Sequence, residues 1–169
     1  MNEPIERIIC RIESNFKSVP MDLTYDSWKQ SIPAEPGWYL IETNTPIEEL
    51  KSVGPPQYPA HINIPKAIDN VSALISVGAA IKQSGNNHYV VYNGEAQNLK
   101  SRAREHVRGH RKTFCLGLAN YPALREYGWR FCYVPVSSCE DVGSDDKSLR
   151  LFFEQVWRAT YGWPILCKR

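Results

Sequence analysis

Apolar residues recur along this chain in two rhythms, and they divide it into helices and strands. Ile5, Ile8, Ile9, Ile12 and Phe16 fall on one helical stripe, which predicts an amphipathic helix over 3–16. Tyr25, Trp28 and Ile32 predict a short helix between Met21 and Ile32, capped by Asp26 and stopped by Pro33 and Pro36. Gly37 to Glu42 reads as a strand, and Pro46 to Val53 as a short helix. The Gly54-Pro55-Pro56-Gln57-Tyr58-Pro59 run is an extended loop. Pro65 suits a first helical position. Ala67, Ile68, Val71, Leu74, Ile75 and Ile81 follow at helical spacing toward Gly85, where Gly85-Asn86-Asn87 turns the chain.

The second half opens on His88-Tyr89-Val90-Val91-Tyr92, a β-branched and aromatic strand that Gly94 is expected to break. Leu99, Ala103 and Val107 then mark a helix that Gly109 ends. A basic loop from His110 to Tyr121 leads to a helical turn over Pro122 to Tyr127 and an alternating strand, Trp129 to Pro135. After an acidic turn around Glu140 to Asp146, the residues Leu149, Phe152, Phe153, Val156 and Thr160 form the stripe of a last helix. Periodicity alone gives an α+β fold rich in helix, without internal repeats or low-complexity tracts.

Composition changes this picture little, but charge distribution changes it more. The 169 residues suit one domain, and no stretch approaches a membrane span, so a cytoplasmic protein is expected. Residues 1–50 carry a net charge of −5, residues 51–96 of +1, and residues 97–169 of +6. A basic excess confined to one region is what a protein shows when it meets a polyanion there; a merely solvated basic helix is the plainer reading. The five cysteines form no Cys-x-x-Cys pair and are read as free thiols. His106 and His110, with Cys115 nearby, are a weak candidate for zinc, because Gly109 takes His110 off the shared helical face.

The chemistry concentrates in Tyr92-Asn93-Gly94, Asn98-Leu99-x-x-Arg102 and His106. A strand, a turn and a basic helix bring a tyrosine, an arginine and a histidine together, a combination suited to gripping phosphate. These residues, with Pro36-Gly37-Trp38-Tyr39-Leu40-Ile41 upstream and Leu149-Arg150-Leu151-Phe152-Phe153-Glu154 downstream, resemble the GIY-YIG nuclease superfamily, restriction-enzyme members in particular. The resemblance covers roughly residues 36–43 and 88–165. Tryptophan and asparagine stand in place of the family's usual residues at Trp38 and Asn93, and both are expected to point away from the catalytic face. No asparagine follows the last helix, where the family often has one.

The resemblance implies a single domain over 1–169, with a helical extension over 1–35 and an insertion over 44–87 between the two motif strands. Its fold would be a small central, mainly antiparallel three-stranded sheet flanked by helices. It further implies a divalent-metal-dependent DNA endonuclease, restriction-type by its small size. Glu154 would hold Mg²⁺ (or Mn²⁺) and Arg102 would bind the scissile phosphate. Tyr39 would help deprotonate water, Tyr92 would position phosphate or water, and His106 would share the proton work. Lys100, Arg104, Arg108, Arg111 and Lys112 are the candidates for holding double-stranded DNA. The alternatives are a non-catalytic nucleic-acid-binding domain on the same scaffold and a repair or homing nuclease. Residues 44–87 are expected to contact DNA or a partner subunit, a homodimer being one way to cut both strands.

Overall fold

The computed structural model describes residues 5–78, 80, 87–139 and 147–167. Helix α1 (Ile5–Ser14) leads into strand β1 (Lys17–Pro20). A short 3-10 helix, Ser27–Ser31, precedes β2 (Gly37–Thr43), and α2 (Ile47–Ser52) and α3 (Ile64–Ser76) follow it. Then come β3 (Tyr89–Ala96), α4 (Leu99–Arg108), β4 (Trp129–Pro135) and α5 (Lys147–Tyr161). The strands form one antiparallel sheet in the order β1-β4-β2-β3.

The fold is therefore α+β, as expected, but its sheet has four strands rather than three. The extra strand is β1, which pairs Lys17 to Pro20 against Tyr133 to Arg130. Its four residues include one apolar side chain besides a proline, too little alternation to read as a strand. Pro20 is tolerated because β1 lies at the sheet's edge.

Two other expectations are corrected. Gly94 does not break its strand; β3 runs through it to Ala96. Gly94 lies opposite Tyr39 on β2, and a Cβ there would come within 2.6 Å of the Tyr39 hydroxyl oxygen. The glycine admits a tyrosine ring instead of ending a strand. In the Met21–Ile32 segment the predicted helix shrinks to the Ser27–Ser31 turn, and Asp26 makes no capping bond. Its carboxylate pairs with Lys29 and Arg108 instead.

The sheet has a core on each face. Trp38, Val90 and Val134 pack with Ile9 and Ile12 of α1 and with Phe153 and Trp157 of α5. On the other face Tyr39, Ile41 and Phe131 pack with Leu99, Ala103 and Val107 of α4 and with Ile64, Ile68 and Val71 of α3. The apolar stripe of α3 is thus spent on the protein's own core. That helix starts at Asn63, whose side chain accepts from the Lys66 backbone N–H, and has Pro65 in its first turn. It ends at Ser76, short of the expected Ile81, with Gly78 at φ +70°. Residues 79 and 81–86 and the acidic turn 140–146 lie outside the described residues.

Helix α4 is held at both ends. The Asn98 side chain accepts from the Ser101 N–H, and the Glu35 and Pro33 carbonyls accept from the Leu99 and Lys100 N–H groups. These bonds satisfy donors that a helix start leaves open. At the far end Gly109 (φ +80°) closes the helix, with its N–H on the Glu105 carbonyl.

Candidate functional site

Four of the sequence-chosen residues meet on the α4 face of the sheet. Tyr39 projects from β2, Tyr92 from β3, and Arg102 and His106 stand one turn apart on α4. The Tyr39 and Tyr92 rings stack with centroids 6.0 Å apart, and the His106 ring tilts against both, at 5.4 and 4.7 Å. The Tyr39 hydroxyl lies 2.9 Å from His106 Nε2 and accepts from Arg102 Nε at 2.9 Å. Because Arg102 occupies it as a donor, a neutral Tyr39 gives its own proton to His106. His106 Nε2 is then an acceptor, and the neutral ring's one N–H proton sits on Nδ1, a buried atom with no hydrogen-bond partner among the described residues.

Burial decides the protonation states here. Tyr39 is 1% exposed, and burial, reinforced by the neighbouring Tyr92, pushes its phenol well above the usual range. Tyr92 is pushed up to about 12, again by burial first. His106 has no exposed surface; burial, then the Arg102 charge, holds its pKa well below the usual value. The imidazole is therefore neutral at pH 7. Burial works against the Arg102 cation, but the two phenol oxygens and Glu105 outweigh it and raise its pKa.

Arg102 is oriented on three sides, by Tyr39, by Glu105 Oε2 (2.8 Å) and by the Phe114 carbonyl (2.7 Å). Glu105 and the Phe114 carbonyl escaped the sequence reading. The glutamate three residues after Arg102 was the available signal; nothing in the sequence marks a backbone carbonyl from a distant loop.

Glu154 comes from α5, on the opposite side of the sheet. It reaches the free edge of β3, where its Oε2 accepts from the Glu95 N–H at 3.1 Å. Its other oxygen pairs with Arg158 at 2.5 Å. Burial raises its pKa against the pull of Arg158, and its charge is felt at both tyrosines. Around it, Arg158 Nε donates to the Asn93 side-chain oxygen (2.7 Å), and the Arg158 guanidinium lies 4.7 Å from the Trp163 ring centre. Arg150 Nε donates to Glu95 Oε2 (2.9 Å), and Trp38 Nε1 donates to the Arg150 carbonyl. Asn93 and Trp38 thus face α5, away from the tyrosines.

As a metal donor, Glu154 stands alone. Among the described residues no group of three His, Cys, Asp or Glu side chains gathers as a metal site. A lone carboxylate with one oxygen on an N–H and the other on an arginine keeps further lone pairs. That donor set fits a hard cation such as Mg²⁺, which takes few carboxylates and keeps its waters. It does not fit structural zinc. The His106, His110 and Cys115 idea fails on geometry as well. His106 Nε2 is tied to Tyr39, while the His110 ring accepts the Lys112 backbone N–H on Nδ1 at 3.4 Å.

The basic candidates separate. Lys100, Arg104 and Arg108 lie on the side of α4 away from Arg102. There Arg108 Nε bonds Asp26 at 2.9 Å and Arg104 stands 3.9 Å from the same carboxylate. Arg111 and Lys112 are exposed in the loop after α4, and Arg111 covers the Tyr58 ring at 5.7 Å. All five cysteines are free thiols. No described helix is long and apolar enough to cross a membrane. No family model, curated protein or solved structure matches the chain.

Proposed function

We propose that this chain is a divalent-metal-dependent endonuclease that hydrolyses phosphodiester bonds in DNA, of the GIY-YIG kind and restriction-type. The observation that carries the reading is the hydrogen-bonded run Arg102–Tyr39–His106, with Tyr92 stacked on it. A core tyrosine needs one polar partner; this one has a cation on one side and a neutral imidazole on the other.

Arg102 keeps guanidinium N–H groups beyond the three already bonded, and these bind the oxygens of the scissile phosphate. Tyr39 Oη takes the proton of the attacking water as its own proton passes to His106 Nε2. Arg102 stabilises the phenolate character that develops in between. Tyr92, beside both, positions the water or a phosphate oxygen. Glu154 would hold the cation, Mg²⁺ or Mn²⁺, which when bound supplies charge to the developing phosphoryl oxygens and lowers the pKa of a water. Gly94 leaves room for the Tyr39 ring, which a Cβ at that position would strike.

Supercoiled plasmid incubated with the protein and Mg²⁺ or Mn²⁺ is nicked or linearised on this reading, and EDTA stops the reaction. Glu154→Ala abolishes cleavage while DNA binding persists. Cleavage by Glu154→Ala at the parental rate would falsify the metal assignment. Tight binding without cutting in either metal favours the second reading, a non-catalytic nucleic-acid-binding domain. The present engagement of Arg102 by Glu105 and of Glu154 by Arg158 is the observation on its side.

A further inference from the structure

A groove of about 410 Å³ opens between α3 and the loop after α4, lined by His61, Asn63, Lys66, Asn70, Phe114 and Leu166 among others. Two observations tie it to the candidate site. Its Phe114 wall is the residue whose carbonyl orients Arg102. Its Leu166 donates its N–H to the Val91 carbonyl on β3, the strand that carries Tyr92. The groove therefore runs alongside the Arg102 end of the hydrogen-bonded run.

Its floor is core, with Ile62, Val71 and Leu166 buried, and its polar rim is not. Helix α3 buries Ile64, Ile68 and Val71 in the core and turns Lys66 and Asn70, both exposed, to the groove. Lys66 is the charged residue in the groove's lining. Asp69, the acidic side chain of that helix, faces Lys51 at 3.5 Å. Arg111, on the loop side, lies over the Tyr58 ring, which in turn meets the lining residue His61 edge-on at 5.0 Å.

Resting on the nuclease reading above, we infer that this groove holds the DNA strand next to the scissile phosphate. Lys66 neutralises a backbone phosphate and Asn70 hydrogen-bonds a sugar or base edge. Phe114 supplies the apolar wall against which the sugar and base lie. A lysine gives charge without direction; an asparagine offers a donor and an acceptor together, as base edges do. The insertion between the two motif strands thus acts as a substrate-positioning element on the same chain, rather than as an interface for a second copy.

The test uses the full chain. Binding of a fluorescein-labelled double-stranded DNA fragment is followed by anisotropy in EDTA at several salt concentrations, and plasmid cleavage in Mg²⁺ gives kcat and KM. The double variant Lys66→Ala/Asn70→Ala, both at exposed positions, is expected to raise Kd and KM about tenfold with kcat unchanged. Its plot of log Kd against log salt is expected to flatten by about one unit of slope, and Lys66→Arg restores that slope. Parental Kd, KM and slope in the double variant would overturn the groove while leaving the nuclease reading standing. A parent that binds but does not cut removes the nuclease reading, and the anisotropy comparison still decides the groove. A parent that does not bind DNA overturns both.

Discussion

The two faces of the sheet bury polar groups in opposite ways. On the α5 face, each charge is answered by another within the fold: Arg150 by Glu95 and Gln97, Arg158 by Glu154 and Asn93. On the α4 face the run beside α4 is two phenols, a neutral imidazole and Arg102, whose guanidinium pairs with one carboxylate, Glu105, among the described residues. Compensated ion pairs fix one geometry and resist change. A hydroxyl held between a cation and a neutral base has instead two nearby places for its proton. The first arrangement orders α5 against the edge of β3, and the second is suited to chemistry. Glu154 is where they meet, since its carboxylate closes the structural network and also lies at the edge near Tyr92.

Substitutions that separate activity from stability test this contrast. Arg102→Ala is expected to lower cleavage on the order of 10²-fold or more, while Arg130→Ala, an arginine outside the site, changes it little. The stability cost of Arg102→Ala stays near about 1 kcal/mol, the scale of hydrogen bonds lost. Arg150→Ala should do the reverse. Its guanidinium is 1% exposed, so its loss costs about 3 kcal/mol in denaturant unfolding, with cleavage at low temperature near parental. If Arg150→Ala destroys activity without unfolding, the division between the faces is wrong.

A smaller effect sharpens it with pH. His106 is neutral and its folded pKa is depressed, so below about pH 6.5 the unfolded chain binds the proton better than the folded one. Stability is therefore whole above that pH and lost as pH falls toward the folded value. The thermal midpoint is expected to drop between pH 7.5 and 5.5, and to drop less in His106→Gln. An equal drop in both would assign the acid sensitivity elsewhere, for instance to His61, which burial also depresses. The smallest effect belongs to Arg104→Ala. That side chain is 64% exposed and 3.9 Å from Asp26, so stability changes by less than about 0.5 kcal/mol in denaturant unfolding.

The helices with strong apolar stripes were legible because burial forces their spacing: α1, α4 and α5 lie where that spacing put them, and α3 starts there but ends at Ser76, short of the expected Ile81. The strands Gly37–Thr43 and Trp129–Pro135 were legible for the same reason. β1 was not, because an edge strand of four residues draws its hydrogen bonds from β4 rather than from its own pattern. Gly94 misled because a glycine's local meaning, a break, lost to a tertiary one, room for the Tyr39 ring. At the site, motif order brought out Tyr39, Tyr92, Arg102 and His106 as a group. The Glu154–Arg158 pair was available as an i,i+4 spacing on α5 and was passed over. The Glu95 N–H on the Glu154 carboxylate was out of reach, since that bond depends on how α5 lies against β3. The Phe114 carbonyl, twelve residues beyond Arg102, was equally out of reach.

The central claim is that the Tyr39 hydroxyl is a chemical group and not merely a buried polar atom. Tyr39→Phe removes that oxygen and leaves the ring between Phe131 and Tyr92. Single-turnover cleavage of DNA in Mg²⁺, with folding checked by circular dichroism, decides it. The account predicts a folded variant whose cleavage rate falls at least about 10²-fold while Kd for DNA is unchanged. A folded Tyr39→Phe protein that cuts at the parental rate would contradict it and return Tyr39 to the core.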